Sequence, residues 1–393
     1  MGCLLHVNPP AQPSPPTPLQ LRSTGEENRI PALTGIRGVA VLLVMYLHFL
    51  PEAAWPQHAW MRRIFQTALG SGVDLFFVLS GFLITGILLD TRARPHYFRN
   101  FFARRVLRIF PLYYGVLAVI FGLLPALGVL GGAAFEQVRE LSIWHWTYLS
   151  NVAWLLHPLG LNAPQIDLRH FWSLAVEEHF YLVWPLVIAL ASRRGVLRIC
   201  SGLLLLSLTA RLLSARYATD FPNLVFLTPF HLDGLAAGSF MAALTRDPAW
   251  RSWLPATKTA LATASLVLGG LLVALMGHTT LTHALGLALI SVALACAVLL
   301  VLAAPRSAVS RILSCRPLLF FGEYSYGLYI IHGLLAPVLS HWTPEGPWIA
   351  ATGSTLPGCL LLASVRIALV LPLALVSWHC YEGPILKLKR HFK

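Results

Sequence analysis

Charge is what this chain has least of. Only 11% of its 393 residues are Asp, Glu, Lys or Arg, against roughly 25% in an average soluble domain, so a water-soluble fold of this size is excluded for want of polar surface. Cysteine is sparse as well. The six, at positions 3, 200, 296, 315, 359 and 380, form no Cys-x-x-Cys pair, so no zinc site, no metal centre and no redox motif is expected. The two-residue alternation of an outer-membrane barrel is also missing. Asp and Glu number 16 against 29 Lys and Arg, a formal net charge of +13. In a soluble protein that excess would suit nucleic acid, but at a mean hydropathy of +0.68 it first marks cytoplasmic loops, and no nucleic-acid partner is expected.

What the chain has instead is long apolar runs. Segments of bilayer length occur at roughly 33–50, 73–89, 106–129, 172–191, 199–214, 224–245, 259–277, 282–304, 317–339 and 356–378. They predict an all-α polytopic transmembrane helical bundle of about ten spans, a multi-pass protein of the cell inner membrane. With the N-terminus inside, 20 of the 29 Lys and Arg fall in inner loops and five in outer ones. That bias places both termini in the cytoplasm. Residues 1–30, with a Pro-rich stretch from Pro9 to Pro18, read as a disordered cytoplasmic tail, 31–384 as the membrane domain and 385–393 as a basic cytoplasmic tail. The outer segment 130–171 carries Trp144, Trp146 and Trp154, which suit either an interfacial aromatic belt or a platform for a sugar ring.

An ionisable side chain inside hydrocarbon costs at least about 2.5 kcal/mol, so each one needs a reason. Arg37 and His48 lie in the first span, eleven residues apart. That spacing puts them on one helical face, separated by about 16 Å along the axis. Taking each span's midpoint as the bilayer centre, His48, Asp74, Glu177 and His332 all come out roughly 6 to 10 Å outward of centre, and are expected to converge. Asp74 also suits a helix cap. At the inner face, Tyr97-Phe-Arg-Asn-Phe-Phe-Ala-Arg-Arg-Val-Leu-Arg-Ile-Phe-Pro111 sets Arg104, Arg105 and Arg108 at helical spacing among aromatics. Such a run either snorkels toward anionic lipid or docks the phosphates of a cytosolic ligand.

Taken in order, these motifs resemble the acyltransferase 3 family, bacterial integral-membrane O-acyltransferases. Ile30-Pro-Ala-Leu-Thr-Gly-Ile-Arg37 with His48 is similar to the family's first helix, and Gly72-Val-Asp-Leu-Phe-Phe-Val-Leu-Ser-Gly-Phe-Leu-Ile84 to its second. The run Arg104, Arg105, Arg108 and Pro111 resembles its arginine motif. Phe171-Trp-Ser-Leu-Ala-Val-Glu-Glu-His-Phe-Tyr181, Tyr324-Ser-Tyr-Gly-Leu-Tyr-Ile-Ile-His332 and Tyr381-Glu-Gly-Pro384 complete the set, so the likeness runs from Ile30 to Pro384. One departure is His231-Leu-Asp-Gly, where the family more often has Arg two residues before the Asp. Ending at Lys393, the chain is expected to be the form without the extra esterase-like domain of some relatives.

The resemblance implies acyl transfer from cytosolic acyl-CoA, with acetyl the expected group, to a hydroxyl of a glycan or other extracytoplasmic or membrane-associated acceptor. His48 is the expected general base, since a hydroxyl needs its proton removed as it attacks. Asp74 or Glu177 would hold the tautomer, and Arg104, Arg105 and Arg108 would grip the donor phosphates with Arg37 along the path. Trp172, Ser173, Glu178, Tyr181, Tyr329 and His332 are expected to line the site. No tightly bound cofactor is needed; the partners are membrane lipid, acyl-CoA and the hydroxyl acceptor. The competing readings are a proton-coupled transporter or flippase, whose relays use the same buried residues, and a non-catalytic membrane scaffold.

Overall fold

The computed structural model describes residues 30–157, 162–218, 222–247, 249–250, 264 and 280–392. The Pro-rich tail before Ile30 and, apart from position 264, the expected span 259–277 lie outside the described residues. The long elements are α1 (Pro31–Phe49), α2 (Ala59–Thr91), α3 (Tyr97–Ala118), α4 (Trp172–Leu190), α5 (Arg193–Tyr217), α6 (Leu232–Leu244), α7 (Thr280–Ala303), α8 (Arg316–Glu323), α9 (Ser325–Trp342) and α10 (Thr355–Ser377). Between α3 and α4 run a helical continuation of α3 to Ala126, three short helices (Ala133–Glu140, Ser142–Trp146 and Ser150–Leu156), a hairpin of two-residue strands, β1 (Asn162–Ala163) and β2 (Ile166–Asp167), and the turn Arg169–Phe171.

Among the described residues, seven helical segments are long and apolar enough to cross a bilayer: Pro31–Phe49, Ala59–Thr91, Tyr97–Ala126, Arg169–Leu190, Arg193–Tyr217, Ala284–Ala303 and Thr355–His391. Two expected spans take other forms. The segment 224–245 yields only the 13 residues of α6, about 20 Å of helix against a hydrocarbon core of about 30 Å. The segment 317–339 breaks at Tyr324, whose φ of −89° and ψ of 5° leave the helical region, into α8 and α9. On α4, Leu182, Leu186 and Leu190 are all exposed, one i, i+4, i+8 stripe of the kind a helix turns toward lipid.

Close helix contacts are made by small residues, since helices in lipid gain most from tight backbone approach. A Cβ on Gly81 of α2 would collide with the Leu235 carbonyl of α6, and one on Gly238 of α6 with the Val78 carbonyl of α2. Gly38 of α1 meets the Leu318 carbonyl of α8 in the same manner.

Cross-links sort the loops into two ends. At the basic end, Arg246 pairs with Asp90 at 2.7 Å, Arg193 pairs with Asp247 at 2.6 Å, and Arg104 Nη1 donates to the Phe392 carbonyl at 3.3 Å. At the opposite end, Arg366 reaches the last residue of α1, and Asn151 Nδ2 donates to Thr228 Oγ1. Of the tryptophans in 130–171, Trp146 stacks on Tyr114 at 5.8 Å and Trp154 on Phe226 at 3.8 Å, so both rings are engaged within the protein.

Gly238→Ala is expected to lower the thermal unfolding midpoint of the detergent-purified protein, because overpacking costs about 1–3 kcal/mol. Gly202→Ala on α5, where an added Cβ meets nothing within 4 Å, is the control and should leave the midpoint unchanged or slightly raised. Equal midpoints for the two variants would contradict the close α2–α6 contact.

Candidate active site

His48 sits in the last turn of α1, where its Nδ1–H donates to the Val44 carbonyl one turn back, at 2.8 Å. That bond fixes the tautomer and leaves the Nε2 lone pair bare. The His48 side chain is exposed, although it stands at the end of a helix packed among others. His332 of α9 lies 5.0 Å away between ring centres and is fully buried. Its Nδ1–H donates to the Leu328 carbonyl at 3.1 Å.

A third imidazole completes the group. His170, in the tight turn that opens α4, is 5.3 Å from His332, and its Nε2–H donates to the Ile330 carbonyl at 3.1 Å. It is His170, therefore, that meets His332 from the fourth span. Glu177 lies seven residues further on, about 10 Å toward the basic end. The midpoint arithmetic misplaced Glu177 because the span starts in the turn Arg169–Phe171.

Asp167 is the carboxylate whose charge acts on His48 and His170. Burial alone would raise its carboxyl, but Arg169 more than offsets this. Arg169 donates to Asp167 through Nε at 3.0 Å, Nη2 at 2.6 Å and its backbone N–H at 2.9 Å, holding it below the usual carboxylate range.

The end of α1 is held from α10. Arg366 Nη1 donates to the Phe49 carbonyl at 2.8 Å, Nε to Thr343 Oγ1 at 2.9 Å and Nη2 to the Thr343 carbonyl at 2.7 Å. Tyr46 and Ser364 add a hydroxyl–hydroxyl bond of 2.8 Å between the same helices. Arg366 thus satisfies a helix-terminal carbonyl next to the candidate base.

A second group lies toward the basic end. Glu177 faces Ser80, Arg37, Arg105 and Tyr181, and Ser80 bonds Tyr181. Arg105 lies 6.0 Å from the Tyr181 ring centre, and Arg108 lies 5.8 Å from that of Tyr326 and 5.3 Å from that of Trp378. The charges of Glu178 and Glu382 act on Arg105 and Arg108 respectively. Arg104 diverges from its neighbours toward Phe392. Between the two groups, Ser173 and Tyr329 share a 2.5 Å hydroxyl bond, and Tyr329 is 5.5 Å from His332. Ser173, Tyr329, His332 and His48 thus form one route of contacts, and Tyr181 sits with Glu177 and Arg37 toward its other end.

Asp74 and Trp172 lie off that route. Asp74 sits two residues after Gly72, about 200° around α2. Since Gly72 packs against α1, Asp74 faces Asp233 and Arg211 instead. Arg211 and Asp233 form a bidentate pair at 2.6 and 2.8 Å, both almost fully buried. His231 lies beside them, with Trp172 at 4.5 Å between ring centres. Of the site groups, sequence reasoning missed His170 and Asp167, which lie just before an apolar run within the outer segment 130–171, and Arg366, which lies inside the expected span 356–378.

A helical bundle whose exterior is apolar and whose charges are paired inside is a multi-pass membrane protein. Residues 30–366 match the family model described as an acyltransferase domain, and the chain belongs to that acyltransferase 3 family. It is 28% identical to the peptidoglycan O-acetyltransferase OatA of Listeria monocytogenes over 375 residues, which cover 91% of this chain and 56% of that protein. It is 25% identical to the O-acetyltransferase OatA of Staphylococcus aureus over 379 residues, covering 91% and 57%. The chain thus spans little more than half the length of these relatives. No solved structure matches it.

Two substitutions follow from the buried cations. Arg366→Met strands the Phe49 and Thr343 acceptors and should destabilise the protein by about 1–3 kcal/mol, with Arg366→Lys recovering part of the loss in thermal unfolding. Arg211→Met leaves Asp233 buried and uncompensated, a loss of about 3–5 kcal/mol, and adding Asp233→Leu should restore much of it. A double variant no better folded than the single one would contradict the pairing.

Proposed function

We propose that this protein is a membrane O-acyltransferase that moves an acetyl group from cytosolic acetyl-CoA to a hydroxyl of an extracytoplasmic glycan, with His48 as general base. The observation that carries the reading is the state of His48. Its Nδ1–H is committed to the Val44 carbonyl, its Nε2 has no such partner, the side chain is exposed, and Arg37 lies eleven residues along the same face. The family and the printed names of the relatives support acetyl transfer to peptidoglycan.

In this mechanism the donor phosphates dock at Arg104, Arg105 and Arg108, where charge-assisted hydrogen bonds hold them. The pantetheine arm runs past Arg37 and Tyr181 toward Ser173 and Tyr329, covering the roughly 16 Å that separates Arg37 from His48. Glu177 keeps Arg37 and Arg105 aimed into that route. His48 Nε2 takes the acceptor's proton as its oxygen attacks the thioester carbonyl. Asp167 favours the imidazolium that forms, and the Val44 carbonyl holds the tautomer, the role expected from the sequence for Asp74 or Glu177. Asp74 belongs with Arg211 and Asp233 as interhelical glue.

The orientation follows the loop charges. The basic end is cytoplasmic, both termini lie inside, and the His48 end opens outward.

His48→Ala is expected to lower kcat for acetyl transfer from acetyl-CoA to a soluble peptidoglycan fragment by about 10² to 10⁴, with the protein still folded. Unchanged kcat would remove His48 from the mechanism. Replacing Arg104, Arg105 and Arg108 together with Gln should weaken acetyl-CoA binding by about tenfold or more per lost phosphate contact, and wild-type affinity should fall with salt. Unchanged binding would return the arginines to lipid. Movement of glycan into liposomes without release of CoA thiol would favour the transporter instead.

A further inference from the structure

The C-terminal segment lies back along α3. Tyr381 Oη donates to the Pro111 carbonyl at 3.1 Å, and Arg104 Nη1 donates to the Phe392 carbonyl at 3.3 Å. Beside these ties runs an apolar furrow. Val106, Leu107, Phe110 and Ala118 of α3 line one side, and Tyr381 and Ile385 of the C-terminal segment line the other. Val106, Ala118 and Tyr381 are exposed, so the furrow faces outward.

Both of its sides are wound unusually. Past Ala118 the chain of α3 enters a π-helical turn at Val119–Leu123, and α10 passes into another at Trp378–Glu382. Such turns are rare and recur at functional sites. A Cβ on Gly115 would lie 3.2 Å from Tyr381 Oη, so a glycine there gives the tyrosine room to reach α3. From Val106 to Ala118 the furrow follows twelve residues of helix, about 18 Å. Against a hydrocarbon core of about 30 Å, that is the reach of one leaflet.

The mouth of the furrow lies at the basic end, where the charge is of one sign. Six arginines fall between Arg92 and Pro111, and three lysines and one arginine between Gly383 and Lys393, with no Asp or Glu in either stretch. Lys387 and Arg390, two and five residues past Ile385, are exposed on the short helical turn Lys387–His391, and Leu388 is exposed between them. Cations flanking an apolar side chain suit the membrane interface. A tail that only snorkels needs no furrow behind it, and a furrow alone takes any lipid. The two together select an anionic head on an apolar chain.

We infer that the furrow between α3 and the C-terminal segment seats one chain of an anionic phospholipid from the leaflet at the basic end, its headgroup held by Lys387 and Arg390. The bound lipid cements the C-terminal segment to α3. It thereby steadies Trp378, on whose ring Arg108 rests at 5.3 Å. The site does not depend on the acyl-transfer reading, and its test needs no turnover.

The full-length protein is placed in phosphatidylcholine nanodiscs with a trace of a lipid carrying a photoreactive diazirine on its chain, either phosphatidylglycerol or phosphatidylcholine. After illumination, the labelled peptides are identified by mass spectrometry. The phosphatidylglycerol probe should label the peptides holding Val106–Ala118 and Tyr381–Ile385 about tenfold more than the phosphatidylcholine probe, as two interfacial cations imply. Lys387→Gln with Arg390→Gln should bring the two probes level. Ala118→Phe, which fills the furrow from an exposed position, should lower labelling there by both. In the wild type, rising salt should erase the preference without any substitution. Equal labelling by the two probes, or a preference that survives salt or the double substitution, would overturn the headgroup site. Label spread evenly over lipid-facing helices such as α4 would overturn the furrow. Unlabelled phosphatidylglycerol should also raise the thermal unfolding midpoint of the wild type and leave that of the double variant unmoved; an equal rise in both would overturn the cementing role.

Discussion

A charged or polar side chain inside hydrocarbon has no water to fall back on, so its partner must come from the protein itself. That constraint organises this bundle. Arg366 finds its acceptors at the end of α1 and at Thr343, Arg211 finds Asp233, and Arg37 faces Glu177 across the interior. The first and last of these links join helices distant in sequence, and Arg211–Asp233 ties the consecutive α5 and α6. Together with glycine contacts such as Gly81 against Leu235, they set where each helix sits.

The same links place the chemistry. Arg366 holds the carbonyl of Phe49, the residue after His48, so the candidate base is fixed at the point where α1, α9 and α10 meet. Arg37 is fixed by the same helix on the same face. The two ends of the proposed acyl route are therefore coupled by one rigid element, and their separation cannot drift independently of α1. A base on a helix end, with an exposed ring and one nitrogen not held by the backbone, suits a site that must accept a thioester from one direction and a hydroxyl from another.

Much of this was legible in the chain. The spacing of Arg37 and His48 gave one face, the apolar runs gave most of the long helices, and the depth arithmetic brought His48 and His332 together. Depth, however, is one coordinate of three. Asp74 has the expected height but lies about 200° around α2 from the face that meets α1, so it joins Arg211 and Asp233. Glu177 was set too near His48 because a tight turn at Arg169–Phe171, invisible in hydropathy, starts the span earlier. His170 and Asp167 were hidden for a related reason, since both sit in polar sequence that only the hairpin and turn fold back against α9. Arg104 shared its neighbours' motif yet turns toward Phe392, a contact fixed by tertiary packing alone.

The central claim is vectorial: a thioester enters at the arginine end and its acyl group leaves at the His48 end. It is tested most directly in proteoliposomes of uniform orientation, with ¹⁴C-acetyl-CoA supplied only on the side of the arginine loop and a soluble peptidoglycan fragment only on the other. The account predicts acetylated fragment on the far side, one CoA thiol released on the near side per acetyl transferred, and neither in the His48→Ala protein. Label on a fragment supplied to the arginine side alone, or transfer undiminished in His48→Ala, would contradict it.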